Sequence, residues 1–238
     1  MTRLVSVVID AMDHISQARW WSEALETPVT TEADDEAGIA PPDAPLMDFV
    51  PVTEPKSSKN RVHIDLATYS HNESADLVAR LIDIGARRID VGQPPDADWV
   101  VLADPEGNEF CVMEPRPGHG YSGLIGEIGV ETTALAETTA FWLLASGWHA
   151  VRREASWSVL RSPSLRGPYL FLVREHAPKV GKNRIHLDVA PFVGEDHRGA
   201  VDELVAAGAH RIDIGQQDVA WFVLADPGGN EFCVLTPR

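Results

Sequence analysis

Three things are scarce in this chain of 238 residues. Cysteine occurs only at Cys111 and Cys233, so no disulfide framework is expected and a reducing, cytoplasmic location fits best. Basic residues number 20 against 36 acidic ones, a net charge of −16. A phosphate backbone needs clustered Lys and Arg, so nucleic acid is not an expected partner, and the acidic excess reads as a solubility feature. Long apolar runs are missing as well. None could span a bilayer, and Asp10 interrupts the apolar stretch at the N-terminus, which has no signal-peptide layout. A membrane is therefore not an expected partner.

What is present is a repeat. Residues 59–65, KNRVHID, return as KNRIHLD at 182–188. Residues 99–116 return at 221–238 with 14 of 18 positions identical, too many for shared composition. A period of about 122 residues is too long for a solenoid unit, so it marks a duplicated domain. The expected division is a first domain at 1–116, a linker at 117–123 rich in Pro and Gly, and a second domain at 124–238. Each copy is long enough to bury its own core.

Within each copy the pattern is strand, helix, strands, twice over. Val5, Val7 and Ile9 alternate as in a half-buried strand. Asp13 is placed to cap a helix carrying Ile15, Ala18, Trp21 and Leu25. An acidic, proline-rich loop is expected over 32–45. A helix over 74–84 has Leu77, Val78, Leu81 and Ile82 on one face, with Gly85 to end it. Asp104-Pro105-Glu106-Gly107-Asn108 reads as a tight turn between two strands. In the second copy helices are expected over 135–144 and 201–207, and Phe141-Trp142 occupies the place of Trp20-Trp21. The fold class is thus α+β, four βαβββ units in two domains.

Paired βαβββ units in which NRxHxD is followed by VLADPxGNEFCV resemble the glyoxalase and bleomycin-resistance family, the vicinal oxygen chelate superfamily. The resemblance covers nearly the whole chain, twice. It implies mixed sheets that pair unit with unit and curl into clefts, often holding a divalent metal. It does not imply one function, because the fold carries many. The sequence does not choose between pairing within each copy and pairing across copies.

Strand alternation nominates the residues that face a cleft. Val62, Ile64 and Leu66 face the helices, which leaves Arg61, His63 and Asp65 on the other side. Phe110 and Val112 likewise leave Glu109, Cys111 and Met113. Carried over from the resemblance, the metal-ligand places are Ser6, a residue near Phe49, His63 and Cys111 in the first copy. In the second they are Glu127, a residue near Leu170 or Phe171, His186 and Cys233. The family's glutamate after the DPxGN turn is replaced by the two cysteines. A catalytic metal usually takes about three protein ligands, so no metal and no cofactor are expected; Glu127, His186 and Cys233 come nearest to a set.

Each candidate has a structural alternative. His63 and His186 are candidate general bases, with pKa values near ~6.5 when unperturbed, or histidines bonded within the sheet to Asp65 and Asp188. The cysteines serve equally as small buried side chains. Arg61 with Glu109, and Arg184 with Glu231, are candidate structural ion pairs. Trp99, Trp157, Tyr169 and Trp221 are candidate walls for a flat ligand, with Arg184 and Cys233 beside them.

The function expected is a small-molecule binder of the glyoxalase-like type, without a complete metal site, that sequesters or senses an aromatic compound. The alternative is a lyase, isomerase or hydrolase using Glu127 and His186, expected to point into one cavity of the second copy. A third reading is a scaffold with self-filled clefts. Fusion of two copies suggests a monomer built as an internal pseudo-dimer.

Overall fold

A computed structural model describes residues 1–116, 120, 123–216 and 218–238. Most of the expected linker, 117–123, lies outside these. The first unit is β1 (Thr2–Ala11), α1 (His14–Ala24), β2 (Val29–Glu32), β3 (Ala37–Ile39) and β4 (Leu46–Pro51). The second is β5 (Val62–Leu66), α2 (His71–Asp83), β6 (Arg87–Arg88), β7 (Trp99–Ala103) and β8 (Glu109–Met113). The third is β9 (Ile125–Thr132), α3 (Leu135–Ala145), β10 (His149–Arg153), β11 (Trp157–Arg161) and β12 (Tyr169–Arg174). The fourth is β13 (Ile185–Pro191), α4 (His197–Ala206), β14 (His210–Arg211), β15 (Phe222–Ala225) and β16 (Glu231–Val234). These are four βαβββ units.

The local signals act as their chemistry dictates. Asp13 caps α1 by accepting from the Ser16 amide at 3.0 Å. Ser70 caps α2 by accepting from the Glu73 amide, so that helix begins three residues earlier than expected. Its face Leu77, Val78 and Leu81 is buried, while Ile82 is partly exposed. Gly85 follows with φ 112°, a left-handed conformation that ends the helix without Cβ strain. The segment expected as an acidic loop instead contains β3. The run Ala37-Gly38-Ile39 is apolar enough to pair with β4 and bury, which the surrounding acids and prolines disguise.

The strands form two eight-stranded mixed sheets. Sheet I has the order β14-β15-β16-β13-β1-β4-β3-β2, and sheet II has β10-β11-β12-β9-β5-β8-β7-β6. Sheet I therefore joins the first and fourth units through β1 and β13, antiparallel. Sheet II joins the second and third through β5 and β9. The pairing runs across the copies.

Each copy is held together behind the sheets instead. Trp21 of α1 meets Phe110 of β8 at 5.2 Å between ring centroids, and in the second copy Trp142 meets Phe232 at 5.7 Å. All four side chains are fully buried, each contributing about 1.5–3 kcal/mol or more of apolar burial. The indole N–H of Trp21 donates to Asp104 at 3.2 Å, and that of Trp142 to Asp226 at 3.0 Å. Asp104 also accepts from the amides of Glu106 and Asn108. The DPxGN aspartate is thus both turn former and anchor for the helix of the neighbouring unit.

A β-bulge between Leu4 and Ser6 changes one expectation about β1. Leu4, Val7 and Ile9 pack inward, and Val5 does not join them. The same irregularity recurs in β9, where Ile125, Ile128 and Val130 pack inward. Ser6 and Glu127 consequently take equivalent places on the cleft faces of their sheets.

Candidate functional site

Side chains on the cleft face of sheet II line a cavity of about 390 Å³. The two central strands supply Glu127 and Glu131 from β9, and His63 and Asp65 from β5. Phe171 on β12, Met113 on β8 and Trp99 on β7 form apolar walls. Glu127 is 4% exposed and bonds Arg116 at 3.3 Å. The His63 ring lies flat against Gly129, its strand partner, so closely that a Cβ there would sit 2.4 Å from a ring carbon. A glycine inside a strand marks such an approach.

The structure does not bring Glu127 and His186 together. Because the copies exchange half-sheets, Glu127 pairs in register with Asp65 and shares its cavity with His63. His186 belongs to sheet I, where its strand partner is Val8, and Ser6 pairs with Asp188. The carboxylate–imidazole combination expected in the second copy is replaced by Glu127 with His63, one residue from each copy.

The remaining candidates divide between the sheets. Trp99 lines the cavity. Tyr169 and Trp157 lie outside its lining: Tyr169 is stacked under Arg161, and Trp157 leans on Phe171 at 5.8 Å while Arg152 covers it. Trp221 is 42% exposed beside a separate, more open hollow of sheet I. Cys233 lies 3.6 Å from His186. Arg184 is bound to Glu106 at 2.8 Å and to the Glu54 carbonyl, not to Glu231. Glu231 pairs with Lys179, and Glu109 with Lys56, both at 2.6 Å; Arg61 bonds the Ala177 carbonyl. The expected arginine–glutamate pairs are therefore not formed, because lysines from the preceding loops reach the glutamates first. Gly129 and Arg116 were not singled out in the sequence, and Phe171 was named only as marking the neighbourhood of a ligand place. Gly129 had a signal, a glycine inside an apolar strand.

Charge is distributed differently on the two faces. Burial opposes ionisation of His63, but Asp65 and Glu131 outweigh it and hold its pKa above the ordinary value. Burial and Lys182 push His186 down, and burial with Asp48 pushes Asp188 up. Asp48 occupies in sheet I the place of Phe171 in sheet II, and burial raises it to about 6. Burial also pushes both thiols up, Cys111 and Cys233 alike.

The sequence matches the model of the glyoxalase-like domain family twice, over residues 6–113 and 127–235. The chain belongs to that family. Among curated proteins no sequence matches it. Among solved structures it is similar to glyoxalase I from Zea mays, with a TM-score of 0.69 and 11% identity, covering 99% of this chain and 92% of that one. It is also similar to a putative dioxygenase from Bacillus subtilis, with a TM-score of 0.67 and 12% identity, covering 99% and 85%. At such identities the likeness concerns the fold alone. Among the described residues, no helix is long and apolar enough to cross a membrane.

The resemblance implies a divalent metal in the cleft, so the donors present bear on whether one fits. The places named for it combine across copies as Glu127, Phe171, His63 and Cys111 in sheet II, and as Ser6, Asp48, His186 and Cys233 in sheet I. Phe171 offers no donor atom. Asp65 and Asp188 do, and each sheet gathers an imidazole, a carboxylate and a thiol within 4.8 Å of one another. Asp65 Oδ1 and Asp188 Oδ1 are buried with no hydrogen-bond partner. Those residues fit a small divalent ion; bound there, it would supply Lewis acidity.

Proposed function

We infer that this protein binds a small, flat, largely apolar organic molecule in the cleft of sheet II. The observation that carries this reading is the cavity of about 390 Å³ whose apolar walls include Trp99, Phe171 and Met113 and whose charged groups include Glu127 and His63. Glu127 and His63 orient the ligand, and the aromatic rings supply the contact area. Sequestering or sensing an aromatic compound needs no more than this. Two half-sheets from each copy complete the clefts, so one chain suffices and the protein acts as a monomer.

The test is a calorimetric titration of the full chain with a panel of small aromatic compounds, repeated on Phe171→Asp and Asp48→Phe. Loss of the ring from the sheet II cavity weakens binding at least about tenfold, a cost of ~1.4 kcal/mol, whereas Asp48→Phe leaves it within twofold. Equal loss in both variants would assign the site elsewhere.

A second reading rests on the pairing of Glu127 with His63. A carboxylate and an imidazole with a raised pKa in one cavity form an acid–base pair suited to proton transfer. Under it, Glu127→Gln abolishes turnover of a bound compound and leaves its affinity nearly unchanged. Simple sequestration predicts no turnover in either protein.

A further inference from the structure

The apolar wall of the sheet II cavity does not stop at the cavity. Phe171 and Val173 line it from β12, and their register partners on the next strand, β11, are Val159 and Trp157. Directly opposed residues share a face, so all four side chains lie on the cleft side of the sheet. All four are half-buried, and a strip of apolar surface therefore leads out of the cavity towards β10. Trp157 sits 5.8 Å from Phe171 between ring centroids, with 33° between their planes. The guanidinium of Arg152 on β10 lies 5.1 Å from the centroid of the Trp157 ring, a cation–π contact. Phe171, Trp157 and Arg152 form a row that begins in the cavity and ends in a positive charge at the rim.

The charged end is exchangeable. The Arg152 side chain is 67% exposed and pairs at 2.9 Å with Glu154, itself 44% exposed and two residues away. Such an exposed pair contributes little, so a ligand anion can replace Glu154 with small loss. Sheet I offers no such row. Asp48 stands there in place of Phe171, Gly38 beside it in place of Val159, and Thr31, paired with Gly38, in place of Arg152. Overall charge differs in the same sense. Residues 146–184, which carry β10 to β12, hold eight Lys and Arg against two Asp and Glu, whereas the equivalent residues 25–61 hold three against eight. In a chain of net charge −16 this stretch is a basic exception that draws anions to one edge of sheet II. Arginines on an edge strand also guard it against pairing with another chain, but that role requires neither an aromatic neighbour nor continuity with a cavity.

We propose that the ligand of sheet II is an elongated aromatic carboxylic acid, and that Trp157 and Arg152 form a second subsite outside the cavity that selects for its length and charge. One ring occupies the cavity against Trp99 and Phe171. The next lies along Trp157 and Val159, and the carboxylate meets the Arg152 guanidinium at the rim. Glu127 and His63 hold the inner end. The assignment rests on the reading of the cavity as an organic-ligand site and adds what that reading leaves open, the chemistry of the outer end.

The experiment is a calorimetric titration of the full chain at low ionic strength with three probes: phenol, 4-phenylphenol and 4′-hydroxybiphenyl-4-carboxylate. Affinity is expected to rise along the series, about tenfold for the second ring and about threefold more for the carboxylate. Trp157→Ala abolishes the second-ring gain and leaves phenol within about twofold, and Trp157→Phe restores most of that gain. Arg152→Gln removes only the carboxylate gain, and so does added salt on the unmodified chain. Circular dichroism checks that both side chains are replaced without loss of fold, and the salt dependence gives a readout free of substitutions. Equal affinity for phenol and 4-phenylphenol, a second-ring gain that survives Trp157→Ala, or a carboxylate gain that survives Arg152→Gln or high salt would each overturn the proposal while leaving the cavity reading intact. Binding of all three probes unchanged in Phe171→Asp, or no binding of any of them, overturns the cavity reading and this one together.

Discussion

The two clefts begin from the same plan and end with different surfaces. Sheet II presents Glu127, Gly129 and Phe171 along β9 and β12, where sheet I presents Ser6, Val8 and Asp48 along β1 and β4. Gly129 leaves room for the His63 ring to lie against the strand; Val8 stands opposite His186 in its place. Phe171 gives sheet II an apolar wall, whereas Asp48 gives sheet I a half-buried carboxyl. Cys111 is partly exposed, whereas Cys233 is buried. Behind the sheets the copies agree almost atom for atom in kind: Trp21 with Phe110 and Asp104, Trp142 with Phe232 and Asp226. The divergence includes these cleft residues and spares Trp21, Phe110 and Asp104 with their counterparts Trp142, Phe232 and Asp226.

The comparison is broken most severely if the two back faces prove unequal. Phe110→Ala and Phe232→Ala each remove a fully buried ring and should each cost about 3–5 kcal/mol in denaturant unfolding. Matching losses support equivalent cores; a loss confined to one would show that a single copy carries the stability.

A smaller effect tests the clefts themselves. Gly129→Val installs the residue of sheet I and drives a Cβ to 2.4 Å from the His63 ring. Displacing that ring should cost about 1–3 kcal/mol and lower the affinity for an aromatic ligand, measured by calorimetry on the folded variant. Unchanged affinity would show that the placement of His63 does not matter to the site.

The smallest effect concerns the indole anchors. Trp21→Phe and Trp142→Phe each remove one donor to a buried aspartate that keeps its other bonds, and each should cost about 1–2 kcal/mol. Equality within experimental error would confirm that the two DPxGN turns do the same work.

Much of this molecule could be read from its residues, because the signals are local. Asp13 announces the start of α1, Gly85 the end of α2, and the alternation of Val62, Ile64 and Leu66 tells which face of β5 is buried. Glu127, His63 and Trp99 were all nominated for a cleft, and all line one. What the chain does not spell out is partnership. An inward face of Val, Ile and Leu fits one half-sheet as well as another, and the connections at 52–61, 114–124 and 175–184 are of similar length. Neither alternation nor loop length says that β5 pairs with β9 and not with β1. Hence most faces could be assigned, Val5 at the bulge of β1 excepted, while Glu127 was matched to the wrong histidine. The contribution of Asp65 and Asp188 was hidden for a related reason. Their proximity to the cysteines depends on the register between β5 and β8 and between β13 and β16, a long-range property.

The exchange of half-sheets bears on how the chain could be divided. A cut within 114–124 would yield two fragments, neither of which contains a complete cleft. The first would carry unpaired edges at β1 and β5, and the second at β9 and β13. Those edges are complementary, so separately expressed halves should reassemble by fragment complementation. The second fragment alone has another option, which is to associate with its own twin. Such a homodimer would seat Glu127 of one copy opposite His186 of the other, the combination that covalent fusion of two diverged halves keeps apart.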